Sequence, residues 1–209
     1  VISEGDLPAP IPQEGFNKRW FNWFRKVVAE YDALVRRPYP GFTVFLDSDI
    51  RVIKPFAEET IGRLLTRPVG IFCGTREAAE TGMIFYDGRH PRIGEYVTTY
   101  MNLYLSGEFR KFPRWDDSYT MSMTALRHPD MICDFAAGKA PVKHQNSNGH
   151  TTSGHVLPIT VWGEYLEHDK GIHWRKGVAA NVATQPKQPA VQPPVSPPQT
   201  LRAPWYQRL

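Results

Sequence analysis

Cysteine and long apolar runs are both scarce in this sequence. The chain has two cysteines, Cys73 and Cys133, which lie far apart and show no CxxC spacing. This pattern favours two reduced, buried thiols over a disulfide or a cysteine metal site. No apolar run approaches the roughly 20 residues that a helix needs to cross a bilayer. The sequence therefore indicates neither a disulfide scaffold nor a membrane-spanning protein.

A strong charge imbalance is also absent from most of the chain. The formal net charge is +4, but three of these charges come from 177–209, which contains Lys187, Arg202 and Arg208 and no acidic residue. The rest of the chain is close to neutral, so it does not have the basic surface that a polyanion attracts. We therefore do not expect nucleic acid to be a partner.

The two ends of the chain differ in composition from the middle. Residues 1–15 are polar and broken by proline, which is not the pattern of a signal peptide, so we expect a cytoplasmic protein. Seven of the 19 prolines fall in 177–209, which predicts a flexible, partly polyproline tail. We divide the chain into an irregular lead-in at 1–15, one domain at 16–177 and a tail at 178–209.

Strand and helix patterns alternate along the predicted domain. Apolar residues recur at steps of three and four from Lys18 to Arg37, which predicts an amphipathic helix that ends before Pro38. The other predicted helices cover 58–66, 92–107, 116–126 and 157–166, and the predicted strands cover 42–46, 69–73 and 82–86. This alternation predicts an α/β layer architecture.

Two aspartates follow the first predicted strand in "TVFLDSDIRVIKPF", residues 43–56. In an extended chain Asp47 and Asp49 project to the same face, a few Å apart. Like charges at that distance repel each other, and a divalent cation such as Mg²⁺ or Mn²⁺ removes the conflict. A solvated turn explains the same pattern, because Asp is common where strands end. Both interpretations stay open at this point.

Four segments together resemble GT-A glycosyltransferases, including the glycogenin-like and bacterial lipopolysaccharide enzymes. "VFLDSDIRVIKPF" resembles the strand that runs into the Asp-x-Asp motif of that family. "ETGMIFYDGRH" (80–90) resembles the strand that lines the sugar pocket, and "WDDSYTMSM" (115–123) resembles the acidic pair beside the donor sugar. "EYLEHDKGIHWRKG" (164–177) resembles the late His-x-x-Gly…Lys motif. The resemblance covers about residues 16–177.

The resemblance implies a set of site residues. Asp47, Asp49 and His168 would bind Mn²⁺ (or Mg²⁺), and an imidazole ligand makes Mn²⁺ the better fit. The donor, a nucleotide-diphosphate sugar, would contact Gly82, Gly171, Arg175 and Lys176, and Asp116 and Asp117 would contact the transferred sugar or the acceptor. The implied acceptor is a glycan, a lipid-linked molecule or a protein. The implied fold is a mixed sheet flanked by helices.

The sequence also departs from the family pattern. Four residues separate Gly171 from Lys176 where the family has two, so Arg175 or Lys170 could be the phosphate cation instead. Glu80 takes the place of a usual asparagine. Only 46 residues precede Asp47, so we expect the N-terminal nucleotide-binding half to be reduced or missing.

Ordinary structural roles compete with several of these assignments. Asp116 and Asp117 before a helix are also typical N-caps. The histidines of the polar segment 144–155 match no zinc spacing, and we interpret them as loop residues. We assign Trp20 and Trp23 to the core, and Trp115 and Trp174 to possible stacking on a sugar.

Two other functions fit the same motifs. A haloacid dehalogenase-type phosphatase also has Asp-x-Asp after an apolar strand, but that family has Thr or Ser where this chain has Arg51. A degenerate carbohydrate-binding or scaffold protein on the GT-A fold would explain the short N-terminal half. The metal-dependent glycosyltransferase remains the prediction that accounts for the most motifs.

Overall fold

The computed structural model describes residues 19–145 and 151–168, with the side chains of 143–145 and 151–154 left out of the description. The predicted lead-in and the predicted tail lie outside these residues. The α-helices are α1 (Trp20–Tyr31), α2 (Glu58–Leu64), α3 (Ile93–Leu105) and α4 (Asp117–Arg127). The strands are β1 (Phe42–Leu46), β2 (Ile50–Val52), β3 (Val69–Phe72), β4 (Glu80–Asp87), β5 (Ile132–Asp134), β6 (Val142–Gln145), β7 (Thr151–His155) and β8 (Leu166–His168).

The main sheet is mixed and has the strand order β1-β4-β3-β5. β4 pairs antiparallel with both β1 and β3, whereas β3 and β5 pair in parallel. Two ribbons accompany it: β2 pairs with β8, and β6 pairs with β7. The expected α/β architecture, a mixed sheet flanked by helices, is confirmed at this level.

A hydrophobic core lies on each face of the sheet because the side chains of β4 alternate. Ile84 and Tyr86 face the helices α1, α3 and α4, and Met83 and Phe85 face the other side. On that second side Phe85 stacks on Trp162, with ring centroids 4.2 Å apart. Burial of large side chains on both faces fixes the register of β4, since a one-residue slip would exchange the two sets.

Helix α1 forms where the periodicity predicts it. Trp20, Phe24 and Val27 are buried at the expected helical spacing, and Glu30 is buried on the same helix. The chain continues from α1 into a π-helical turn at Asp32–Arg36 before Pro38. The amphipathic pattern therefore packs α1 against the sheet and brings its polar side chains near the ends of β1 and β4.

One predicted helix is wrong. Residues 157–166 form two short 3-10 turns, Leu157–Ile159 and Val161–Glu164, and the chain then enters β8. Thr160 is extended between the turns, with φ −98° and ψ 167°, and Pro158 has no N–H with which to continue a hydrogen-bond ladder. The segment 144–155, interpreted as a loop, instead contributes strand residues to the β6–β7 ribbon.

Within the described part of the chain, no helix combines the length and the apolar character that spanning a membrane requires.

Candidate functional site

Asp47 and Asp49 lie in a turn between β1 and β2. The Ile50 N–H donates to the Asp47 carbonyl at 2.9 Å, and the Asp47 N–H donates to the Gly82 carbonyl at 2.7 Å. The expected extended arrangement of the two aspartates is therefore wrong, because the chain must reverse here to let β2 pair with β8. Both carboxylates nevertheless approach the same histidine by different routes.

Asp49 reaches His168 because β2 and β8 are paired. Ile50 is the register partner of His168, which places the preceding Asp49 beside the imidazole. The distance from His168 Nε2 to Asp49 Oδ1 is 3.3 Å. His168 is buried, and its Nε2 has no hydrogen-bond partner among the described residues, so this contact is a poorly directed ion-pair contact.

Asp47 reaches the same histidine across Gly82. A Cβ built on Gly82 would lie 3.3 Å from His168 Cε1 and 3.5 Å from Asp47 Oδ2. Glycine at this position of β4 lets the imidazole and the carboxylate close over the strand without a side chain between them. Of the three residues that the sequence predicted as metal ligands, His168 and Asp47 lie beside Gly82, and Asp49 contacts His168.

Glu80 holds two imidazoles, and we call Glu80, His155 and His168 the imidazole cluster. Glu80 Oε1 accepts hydrogen bonds from His155 Nδ1 at 2.5 Å and from His168 Nδ1 at 3.0 Å. All three residues are buried. Burial opposes ionisation of Glu80, but the hydrogen bonds from His155 and His168 outweigh it and hold the pKa of Glu80 well below its usual range. The carboxylate is therefore ionised.

This hydrogen bonding fixes the protonation of His168 at one atom. An ionised carboxylate only accepts hydrogen bonds, so the Nδ1 that faces Glu80 must carry a proton. In the neutral imidazole, Nε2 is then an acceptor, and it faces the Asp49 carboxylate, which is an acceptor as well. A proton or a metal ion between them removes this conflict. Burial lowers the pKa of His168, but Asp49 and Glu80 outweigh burial and raise it.

The imidazole cluster could also hold a metal directly, since one ligand atom from each residue lies within 4.8 Å of the others. The hydrogen bonds favour a different role for Glu80. A carboxylate that takes the second N–H of a ligating histidine is a common outer partner in metal sites, where it orients the ring. In this arrangement His168 Nε2, rather than Nδ1, is the atom that faces a metal.

A second charged group also reaches Gly82 through Asp47, and we call Lys26, Asp47 and Asp117 the lysine bridge. Lys26 Nζ lies 2.9 Å from Asp47 Oδ1, forms a short ion pair with Asp117 Oδ2, and donates to the Thr81 carbonyl at 3.3 Å. Burial lowers the pKa of Lys26, but Asp117 and Asp47 outweigh burial and raise it. Lys26 therefore carries its charge.

The adjacent aspartates at the start of α4 differ in their surroundings. Asp116 is the N-cap: its Oδ1 accepts the Tyr119 N–H at 2.8 Å, and its Oδ2 lies 2.7 Å from Arg114. Asp117 faces Lys26 instead, and its Oδ1 accepts the Ser118 N–H. The capping interpretation therefore applies to Asp116, and Asp117 is the aspartate placed next to Asp47.

A cavity of about 460 Å³ is bordered by the lysine bridge and by Glu80 and His168 of the imidazole cluster. Its wall includes Trp23 and Lys26 from α1, Asp47, Glu80 to Gly82 from β4, Asp116 to Ser118 from α4, and His168 from β8. Arg76 and Arg114 also line it, and each pairs with a carboxylate of the same wall, Glu80 and Asp116 respectively. The volume is in the range of small-molecule sites, and the wall is dominated by charged groups.

Several predicted site residues are placed differently or not at all. Gly171, Arg175, Lys176 and the alternative cation Lys170 lie outside the described residues, as does Trp174. Trp115 is wrong as a sugar platform, because it is buried and packs edge-on against Phe109 at 5.2 Å.

Sequence reasoning missed two residues of the site and the role of a third. His155 had been assigned to a loop, Lys26 had no assigned role, and Glu80 counted only as a departure from a motif. Long-range pairing brings them together: β7 carries His155, α1 carries Lys26 and β4 carries Glu80. Lys26 stands beside Arg25, outside the apolar repeat of α1, so no local signal distinguishes it.

No family model matches the chain, and searches of curated proteins and of solved structures found no match.

Proposed function

We propose that this protein is a metal-dependent glycosyltransferase that uses a nucleotide-diphosphate sugar as donor. The observation that supports it most is the 3.3 Å contact between Nε2 of the buried His168 and Oδ1 of the partly exposed Asp49, which are two acceptors when the imidazole is neutral. A divalent cation would satisfy both, and the nearby Asp47 carboxylate would supply a third ligand. The resemblance of the surrounding motifs to GT-A enzymes connects this site to sugar transfer.

The donor set fits a borderline cation. Two carboxylates and one imidazole suit Mn²⁺ better than Mg²⁺, because Mg²⁺ prefers oxygen ligands alone. A bound ion would neutralise the diphosphate leaving group as a Lewis acid. Binding should also release a proton when His168 starts as the imidazolium, since a ligating imidazole must be unprotonated at Nε2.

The residues of the chain have separate roles in this proposal. Glu80 keeps the proton of His168 at Nδ1, so that Nε2 stays directed at the metal. Asp117 and Ser118, on the α4 side of the cavity, have polar groups that suit sugar hydroxyls. Asp116 holds the start of α4 through its cap. The acceptor, a glycan, lipid-linked molecule or protein, would enter from the open side of the same cavity.

Calorimetry with parallel detection of nucleotide release tests this function. Mn²⁺ would be titrated with and without UDP-, GDP- and CDP-sugars into the wild type, into Asp49→Ala and into the control Asp130→Ala. Asp130 is an exposed aspartate that pairs with Arg92, away from the cavity. We expect Mn²⁺-dependent nucleotide binding that Asp49→Ala abolishes and Asp130→Ala leaves unchanged.

Three outcomes would contradict the proposal in different ways. Equal binding by the wild type and Asp49→Ala would show that Asp49 is not a metal ligand. Release of inorganic phosphate from sugar phosphates without nucleotide binding would support the phosphatase alternative. Binding of a nucleotide sugar with no release of nucleotide in the presence of any acceptor would support the degenerate binding protein.

A further inference from the structure

Lys26 connects three elements at one point of the cavity. It projects from α1, and its ammonium contacts the carboxylates of Asp47, after β1, and Asp117, in the first turn of α4. The Thr81 carbonyl of β4 is a third partner at 3.3 Å. All three partners are oxygens, and two are anionic. An ammonium with these neighbours occupies the kind of position that a bound cation takes.

The lysine bridge neutralises Asp47 from within the protein. Without Lys26, the carboxylates of Asp47 and Asp117 would face each other with like charge, which is unfavourable in a partly buried position. The side chain of Lys26 is 18% exposed, and that of Asp117 is 6% exposed. Their attraction is therefore less screened by solvent than that of a surface pair.

Asp47 is shared between the two halves of the site. Its Oδ1 contacts Lys26, whereas its Oδ2 lies close to Gly82 and His168. A metal ion that binds at Asp49 and His168 and also takes Asp47 would place a second positive charge on a carboxylate that already holds an ammonium. The two cations repel each other, so metal binding weakens the ion pair between Asp47 and Lys26.

The two arginines of the cavity wall pair with carboxylates that are not predicted metal ligands. Arg76 pairs with the buried Glu80 at 3.0 Å, and Arg114 contacts Asp116 Oδ2 through both Nε and Nη2, at 2.8 and 2.7 Å. A guanidinium that makes a forked contact loses more than an ammonium does when it turns away. Lys26 has a flexible stem and a point charge, so it can move to a new anion.

We propose that Lys26 couples the binding of the metal to the binding of the donor diphosphate. In the metal-free site its ammonium neutralises Asp47 and Asp117; when the metal takes Asp47, the ammonium turns to the diphosphate. This inference rests on the proposed function and extends it, because it assigns a phosphate cation to α1 and predicts an order of binding. The metal binds first and frees the Lys26 ammonium, which then contacts the diphosphate.

Lys26→Met separates this role from a structural one, since it keeps the length of the side chain and removes the charge. Calorimetry would measure Mn²⁺ alone, and UDP at saturating Mn²⁺. We expect Mn²⁺ to bind about tenfold more tightly to Lys26→Met, because a competing cation is gone. We expect UDP to bind about tenfold more weakly, because a charge-assisted contact is lost.

Two controls accompany this variant. Arg25→Met removes a neighbouring positive charge from the exposed side of α1, and it should change neither affinity. Lys26→Arg keeps the charge and should keep the Mn²⁺ affinity near that of the wild type. A purely structural role would weaken both affinities together in Lys26→Met, and that result would overturn the proposal.

A measurement on the wild type keeps the proposal testable if Lys26→Met does not fold. Acylation of Lys26 by an amine-reactive reagent would be followed by mass spectrometry. We expect Mn²⁺ alone to speed labelling of Lys26, and Mn²⁺ with UDP to slow it again. Unchanged labelling in a protein that binds Mn²⁺ and UDP would overturn the coupling alone. Absence of any Mn²⁺-dependent UDP binding would overturn the proposed function together with it.

Discussion

The imidazole cluster and the lysine bridge both border Gly82, through His168 and Asp47 respectively, and satisfy their charges in different ways. In the cluster, one carboxylate, Glu80, serves two imidazoles, and His168 Nε2 is left facing Asp49 without a hydrogen bond. In the bridge, one ammonium serves two carboxylates and a carbonyl. On the cluster side His168 Nε2 has no hydrogen-bond partner among the described residues, whereas on the bridge side Lys26, Asp47 and Asp117 are all paired.

This difference indicates where a metal would bind. Buried polar groups in proteins are nearly always paired, so a buried nitrogen without a hydrogen-bond partner marks a place for a ligand. The two aspartates of the Asp-Ser-Asp segment are therefore not equivalent. Asp49 contacts His168 Nε2, whereas Asp47 contacts Lys26.

Among variants that keep all three predicted metal ligands, the largest loss of metal affinity should come from Glu80→Gln, which breaks the cluster side of the comparison. Glutamine keeps the size of Glu80 but no longer fixes the proton of His168 at Nδ1. Loss of such an outer partner typically costs about 10- to 100-fold in metal affinity. Mn²⁺ calorimetry would measure it, with Glu95→Gln, an exposed carboxylate on α3, as the control. Unchanged Mn²⁺ affinity in Glu80→Gln would remove Glu80 from the site.

Glu30→Gln, behind the lysine bridge, should change the pH dependence of the free energy of unfolding. Glu30 lies one turn after Lys26, and its carboxyl accepts a hydrogen bond from the Tyr86 hydroxyl. Burial raises the pKa of Glu30 to about 7, although Tyr86 and Lys26 act in the opposite direction. The folded state therefore holds a proton that the unfolded state releases above about pH 4.5, the ordinary pKa of the group.

Stability of the wild type should fall as the pH rises from 4.5 to 7. The slope from Glu30 should reach at most about 1.4 kcal/mol per pH unit in the middle of this window and be smaller near either end, so the whole window costs on the order of 2–3 kcal/mol. Urea unfolding between pH 4 and 8 would measure this dependence. Glu30→Gln should lose this part of it, and identical pH profiles for both proteins would show that Glu30 does not hold the proton.

The smallest effect should come from Gly82→Ala, which tests whether the two sides meet over β4. The added Cβ would contact His168 Cε1 at 3.3 Å and Asp47 Oδ2 at 3.5 Å. Small shifts of both groups can relieve the first contact. The geometry of the ligands is then disturbed, but no ligand is lost. We therefore expect Mn²⁺ affinity to fall only about three- to tenfold. Calorimetry would measure it. A gain in affinity would show that the two sides do not share a metal.

Local patterns predicted most of the elements that build the site. The apolar repeat of α1, the buried runs of β3 and β4 and the Asp-Ser-Asp segment after β1 all depend on neighbours in the sequence, and each was found near its expected position. The segment that contains Pro158 was not predicted correctly. Apolar residues at helical spacing occur there, but the extended Thr160 breaks the ladder that a helix needs.

The chemistry of the site depended on contacts that no local pattern contains. Glu80 and His155 are 75 residues apart, and Lys26 and Asp117 are 91 residues apart. A lysine on an amphipathic helix is usually solvated, and a histidine in a polar segment usually lies in a loop, so both were left out of the predicted site. Only the resemblance to a known late motif placed His168 near the aspartates.

A crystal structure with Mn²⁺ and UDP, using anomalous scattering from the metal, tests the central claim most directly. We expect one anomalous peak at roughly 2.0–2.3 Å from His168 Nε2 and from a carboxylate oxygen of Asp49. A peak bonded to Glu80 and His155 instead, or no peak near His168 at saturating Mn²⁺, would contradict it.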